Sequence, residues 1–175
     1  KTPVCDFGKK AEDFKLKSIE NKLISLNDVK GEKATLIMFI CNHCPYVKAI
    51  IRDLAKDCNE LKKDGINSVA IMSNDTENYP EDSFDNMIKF AKANDFGEMN
   101  YLIDETQEIA RKYGAVCTPD FFGYNKDLKL QYRGRFRELK DLKPISSGDS
   151  DLKVAMKMIS KTQAGPKEQT PSMGC

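Results

Sequence analysis

Apolar positions along this chain switch between two spacings, and each switch marks an element. Phe14-Lys15-Leu16-Lys17 alternates apolar and basic residues and predicts a strand with one face buried. Asn21-Lys22-Leu23-Ile24-Ser25-Leu26 predicts a second strand that closes an N-terminal hairpin. Residues 34–40 are a near-continuous apolar run, the pattern of a strand covered on both faces. Between 45 and 63 the apolar residues are Val47, Ile50, Ile51, Leu54, Cys58 and Leu61, a helical spacing that Gly65 ends. The next strand is 66–72. The polar stretch 74–81, with Pro80, is a loop, and 82–94 is a helix with Phe84, Met87, Ile88 and Ala91 inward. Tyr101-Leu102-Ile103 is a short strand, and 106–113 a short helix stopped by Gly114. Segments 120–124 and 129–132 read as antiparallel strands around an Asn125-Lys126-Asp127 turn. Residues 150–160 form the last helix, with Leu152, Ala155, Met156 and Ile159 inward.

Strands that alternate with helices and finish in a hairpin argue for an α/β domain with a central, partly parallel sheet and helices on both faces. The chain shows no internal repeat and no long linker. One domain is expected over residues 1–160. Residues 161–175, rich in Gly, Pro, Gln, Lys and Thr, read as a tail that orders on contact or stays mobile.

The 175 residues are enough for one full core. Twenty-eight basic and 27 acidic residues leave a net charge of +1, which gives no argument for nucleic acid or an anionic membrane as partner. No apolar run approaches the length of a membrane span. Lys1 is not an initiator methionine, so a secretory signal could precede it, and cytoplasm and periplasm or secretion stay open as compartments. Oligomeric state also stays open. Six cysteines, at 5, 41, 44, 58, 117 and 175, are too few to staple a chain of this length but enough to suggest reactive sites.

The chemistry concentrates where the apolar run 34–40 meets Cys41-Asn42-His43-Cys44-Pro45. Pro45 suits the first position of a helix, where its missing N–H costs nothing. Cys44 is then the N-cap, next to unpaired backbone N–H groups and the positive end of the helix dipole, both of which stabilise a thiolate. Thiol redox chemistry follows, and no cofactor is called for. His43, the one histidine, can stabilise a thiolate beside it or be a loop residue without a role. Cys58 falls on the buried stripe of its helix and reads as core. Cys5 and Cys175 lie near the ends and can be free, paired with each other, or paired between chains. A single C-x-x-C is half of a zinc site, and no second C-x-x-C or distant histidine completes one, so a metal carrier ranks third among the readings.

The apolar strand, the C-x-x-C-P at a helix start and Cys117-Thr118-Pro119 before a late hairpin together resemble the thioredoxin fold. The opening Gly8-Lys9-Lys10-Ala11-Glu12-Asp13-Phe14-Lys15-Leu16 is similar to the redoxin branch that shares its domain with AhpC/TSA-type peroxiredoxins. The resemblance implies a thioredoxin-like fold with an N-terminal β-hairpin extension. It also implies a cis Thr118–Pro119 bond facing the thiols and a backbone edge there that can pair with a substrate. Thioredoxins separate the strand from their first cysteine by several residues. Aligned here from the strand without a gap, Cys44 matches the nucleophile, and Cys41 becomes its resolving partner, with the reverse assignment left open. His43 resembles the histidine between the cysteines of DsbA-type oxidants. Cys117 would lie near the thiols, as a second resolving thiol or as a small filler. Peroxiredoxins place Thr or Ser three residues before the active cysteine and Pro four residues earlier. Here those places hold Cys41 and Ile37. An arginine normally completes that site, and Arg133 or Arg135 is the candidate, although the run 132–137 also reads as a solvated basic turn. The expected function is thiol–disulfide exchange with a protein or small-thiol substrate. An atypical peroxiredoxin acting on peroxide is the alternative.

Overall fold

The alternating segment and its neighbour form the outer hairpin of a seven-stranded mixed sheet. In the computed structural model, which describes residues 6–175, β1 (Lys15–Ser18) pairs antiparallel with β2 (Leu23–Ser25). The second strand is shorter than expected. Leu26 already belongs to a single helical turn, α1 (Leu26–Val29), because Ser25 and Asp28 form a capping box. Ser25 Oγ accepts from the Asp28 N–H at 3.2 Å, and the Ser25 N–H donates to the Asp28 carboxylate at 2.9 Å.

The apolar run becomes β3 (Ala34–Phe39), buried at every position. After it come α2 (Pro45–Leu61), β4 (Ile66–Met72), α3 (Phe84–Ala93), β5 (Asn100–Ile103), α4 (Glu108–Tyr113), β6 (Asp120–Asn125) and β7 (Leu130–Tyr132). The small hairpin of β8 (Leu139–Lys140) and β9 (Lys143–Pro144) has no apolar alternation to announce it, and α5 (Asp151–Thr162) ends the order. Sheet order is β2-β1-β5-β4-β3-β6-β7. β3, β4 and β5 are parallel, and the outer pairings are antiparallel.

Alternation along β3 divides the core. Leu36 and Met38 face Val47, Ile51 and Leu54 of α2 and Met156 and Ile159 of α5. Ile37 and Phe39 face the opposite layer, with Ile109 and Tyr113 of α4 and Phe122 of β6. Two helix positions differ from expectation. α3 begins at Phe84, two residues late, since Ser83 Oγ caps it by accepting from the Asn86 N–H. Ile88 stands 39% exposed, one residue round from the buried Met87 and therefore off the inward face. Gly123 interrupts β6 because Met156 and Tyr132 fill the space a side chain would need.

β7 is the last strand on its side, and two non-strand pieces close its edge. Leu130 exchanges hydrogen bonds with Gly8 and Lys9 at 2.8 and 2.9 Å. The Gln169 side chain accepts from the Arg133 N–H at 2.8 Å and donates to the Gln131 carbonyl at 2.9 Å.

Candidate active site

β3 delivers the chain to the C-terminal edge of the parallel strands, and Cys41–Cys44 turn it into α2. Cys44 is the N-cap with φ −67° and ψ 126°, and Pro45 follows at N1. Both cysteines are free thiols, 1% and 0% exposed. The loop between α4 and β6 faces them, and its Thr118–Pro119 bond is cis. Cys41 Sγ lies 3.6 Å from Thr118 Oγ1, and Cys44 Sγ lies 3.3 Å from the Thr118 carbonyl. A third sulfur joins them: Cys175 Sγ is 2.9 Å from Cys44 Sγ. The three line an open cleft of about 410 Å³ with Cys117, Ser73 and Asn74, and the partly exposed Tyr79 and Val116 also line it.

The two sulfurs of the motif have opposite surroundings. A hydrogen bond from the Cys41 thiol holds Cys44 down at about 4, against the cost of burial, with help from Cys175, the Val47 N–H and Thr118. The same hydrogen bond pushes Cys41 far up, and burial and the Asp82 charge add to it. In its thiol form Cys44 can donate to the Thr118 carbonyl; ionised, it accepts from its neighbours instead.

Asp82 gave no sequence signal beyond opening a helix, yet it is fully buried beside the motif. Its carboxylate accepts from the Asn42 N–H at 2.7 Å and from Asn74 Nδ2 at 2.8 Å. Asn42 is fixed in turn by the Tyr101 hydroxyl at 2.8 Å. These bonds tie the Cys41–Cys44 turn to the loop after β4. His43 Nδ1 sits 2.7 Å from Asp82 Oδ2, out of line for a hydrogen bond from the ring N–H, and its ring stacks on Tyr79. Ligand-type atoms of Cys41, His43 and Asp82 lie within 4.8 Å of one another, a third ligand that sequence spacing did not supply. Asp82 already meets Asn42 and Asn74, so that carboxylate is engaged within the protein.

The basic run 132–137 is not a solvated turn. Tyr132, Arg133 and Phe136 are buried. Arg133 forms a forked pair with Asp120, at 2.9 and 3.3 Å, and donates to the Gly114 carbonyl at 2.9 Å. Asp120 also accepts from the Val116 N–H at 3.0 Å. This pair therefore clamps both ends of the loop that carries Cys117, Thr118 and Pro119. Arg135 points elsewhere, to Asp151 at 2.6 Å. Cys117 lines the cleft and donates to the Pro119 carbonyl at 3.4 Å, with burial pushing its thiol up to about 11. Cys58 is buried in the core and pushed up to about 12 by burial. Cys5 lies outside the described residues.

Solved structures resemble this chain at two levels of similarity. Over the whole chain and 91% of its own length, an uncharacterised conserved protein from Geobacillus kaustophilus is 40% identical, with a TM-score of 0.91. A hypothetical protein from Sinorhizobium meliloti is 35% identical over 99% of this chain and 94% of its own, with a TM-score of 0.90. The thioredoxin domain of a thiol-disulfide oxidoreductase from Bacteroides vulgatus matches 74% of this chain and 89% of its own at 18% identity and a TM-score of 0.62, a likeness of fold. None of the curated proteins matches the sequence. The thioredoxin-like fold and a family profile that matches residues 7–133 agree: the chain belongs to the AhpC/TSA family.

Proposed function

We propose that the protein is a thiol–disulfide oxidoreductase in which Cys44 attacks and Cys41 resolves. The observation that carries this reading is geometric: Cys44 caps α2 just before Pro45, and its free thiol and that of Cys41 both lie against Thr118 of the cis Thr118–Pro119 loop. The Cys44 thiolate attacks one sulfur of a substrate disulfide, and the substrate S–S bond breaks. The departing substrate sulfur takes a proton, leaving a mixed disulfide on Cys44. Cys41 then loses its proton and attacks Cys44 Sγ, which releases the second substrate thiol and leaves a Cys41–Cys44 disulfide. The Cys41 proton passes to the departing substrate sulfur, which leaves as a thiol. His43 would orient against the Asp82 carboxylate, and Pro45, Thr118 and Pro119 would frame the attacking sulfur. The apolar side chains of Tyr79 and Val116 at the cleft suit a protein or peptide substrate over a small hydrophilic thiol.

Peroxide reduction is the second reading, supported by the family and by the Cys-Pro pair at the helix start. There the Cys44 thiolate would be oxidised to a sulfenic acid and resolved as a disulfide. Against it, Arg133 is committed to Asp120 and Gly114, and Cys41 stands where that chemistry uses a hydroxyl. One preparation tested in two assays separates them. Insulin reduction driven by dithiothreitol is expected, with peroxide consumption no faster than the Cys44→Ser variant. Peroxide turnover lost in Cys44→Ser, without insulin reduction, reverses the order.

A further inference from the structure

Segment 169–175 crosses the mouth of the cleft along a path a bound peptide would take. The Cys175 N–H donates to the Thr118 carbonyl at 3.2 Å, Ser172 Oγ donates to the Pro119 carbonyl at 2.8 Å, and the Arg135 N–H donates to the Thr170 carbonyl at 2.7 Å. Such main-chain pairing is how an extended peptide docks on a sheet protein. Gly174 fits this path closely: a Cβ there would collide with the Thr118 carbonyl. The seated segment sets one more sulfur on Cys44. Cys44 and Cys41 are buried, whereas Cys175 is exposed and 2.9 Å from Cys44.

We propose that Cys175 is the solvent-side exchange partner of Cys44, and that the two form an intrachain disulfide alternating with Cys41–Cys44. The proposal rests on the thiol–disulfide reading of the site. In the exchange, the Cys175 thiolate attacks Cys44 Sγ of the Cys41–Cys44 disulfide. The new S–S bond joins 44 to 175, and Cys41 leaves and takes up a proton. No external oxidant is needed, since one disulfide replaces another. The Cys44–Cys175 bond then presents Cys175 to solvent. A thiolate of a reducing dithiol, the class of compound to which dithiothreitol belongs, attacks Cys175 and expels Cys44, the sulfur whose low proton affinity makes it the better leaving group. The result is a donor–Cys175 mixed disulfide and a Cys44 thiolate. The donor's second thiol attacks that mixed disulfide, forming the oxidised donor and returning Cys175 as a thiol. The two electrons of the donor dithiol have then passed to the Cys44–Cys175 pair, ready for the next substrate disulfide.

The test uses the full chain in its Cys41→Ser variant, oxidised with diamide, trapped with N-ethylmaleimide and mapped by mass spectrometry of tryptic peptides. The expected product is a peptide containing Cys44 joined to the peptide containing Cys175, in monomeric protein. Its rate of formation should not vary with protein concentration, because an intrachain partner acts at an effective concentration on the order of millimolar. Gly174→Val should unseat the segment and slow the linkage by about tenfold or more, as an intramolecular encounter is degraded toward a free one. Wild-type protein oxidised in parallel gives the control for the site itself. If Cys41–Cys44 forms in wild type while Cys41→Ser gives no 44–175 linkage, or gives it only between chains, the proposal falls and the oxidoreductase reading stands. If diamide-treated wild type shows both Cys41 and Cys44 alkylated, the oxidoreductase reading falls and takes the proposal with it. A 44–175 linkage that forms equally fast in Gly174→Val would also overturn the proposal, since docking would then contribute nothing.

Discussion

At the scale of single residues the two motif cysteines differ in setting. The Cys41 thiol and the helix N-terminus pull the Cys44 thiol down, and the Cys44 neighbour and burial push Cys41 up. Cys44 should therefore be alkylated by iodoacetamide far faster than Cys41 near neutral pH and should stay reactive at pH 6, below the range of an ordinary thiol. Replacing Cys41 by Ala removes the donor and should raise the Cys44 proton affinity, each pKa unit being worth about 1.4 kcal/mol. Cys41→Ser keeps an O–H donor and should raise it less, a difference that a pH series of alkylation rates followed by mass spectrometry will read. Pro45 made the N-cap legible in the sequence, because only the first helical turn accepts a proline without loss. Asp82 and Cys175 were not legible. They reach the motif from 40 residues beyond Asn42 and 131 residues beyond Cys44, and no local periodicity marks such a meeting.

Among the elements, those with a strong period were readable and those made by side-chain capping were not. The all-apolar β3 and the stripe of α2 follow directly from burial on two faces and on one. The turn α1 and the late start of α3 depend on Ser25 and Ser83 bonding backbone N–H groups, a local choice that hydrophobic spacing does not record. The basic run was misjudged because arginine is usually solvated, while here Asp120 and Gly114 supply partners for a buried guanidinium. Breaking that pair leaves one buried charge uncompensated, so Arg133→Ala or Asp120→Ala should lose about 3–5 kcal/mol in urea unfolding. The double variant Arg133→Met/Asp120→Leu should recover a large part of it, since no charge is then stranded. The double variant should still exchange disulfides more slowly, because the loop carrying Thr118 and Pro119 has lost its clamp.

For the molecule as a whole, the site couples redox state to acidity. The folded proton affinity of Cys44 is depressed, so its thiolate contributes stability that is fully present above the unfolded-state value, near 8.5 for a free cysteine, and is lost as pH falls toward about 4. Reduced protein should therefore lose stability between about pH 8.5 and pH 4 by more than the Cys44→Ser variant does. Asp57, which burial raises, acts in the opposite sense near the acid end in both proteins, so the difference between their unfolding curves isolates Cys44. No helix among the described residues is long and apolar enough to cross a membrane. The closed edge of β7 has its own consequence. Gln169 occupies the Gln131 carbonyl and the Arg133 N–H through a side chain that belongs to the same segment as Cys175. Lifting that segment bares the Gln131 carbonyl and the Arg133 N–H at the sheet edge, groups on which sheet proteins can stick to one another. Gly174→Val should accordingly scatter more light than wild type on mild heating. Release of the segment during turnover would then be a moment of exposure to self-association, and each reseating would restore the chain's colloidal protection.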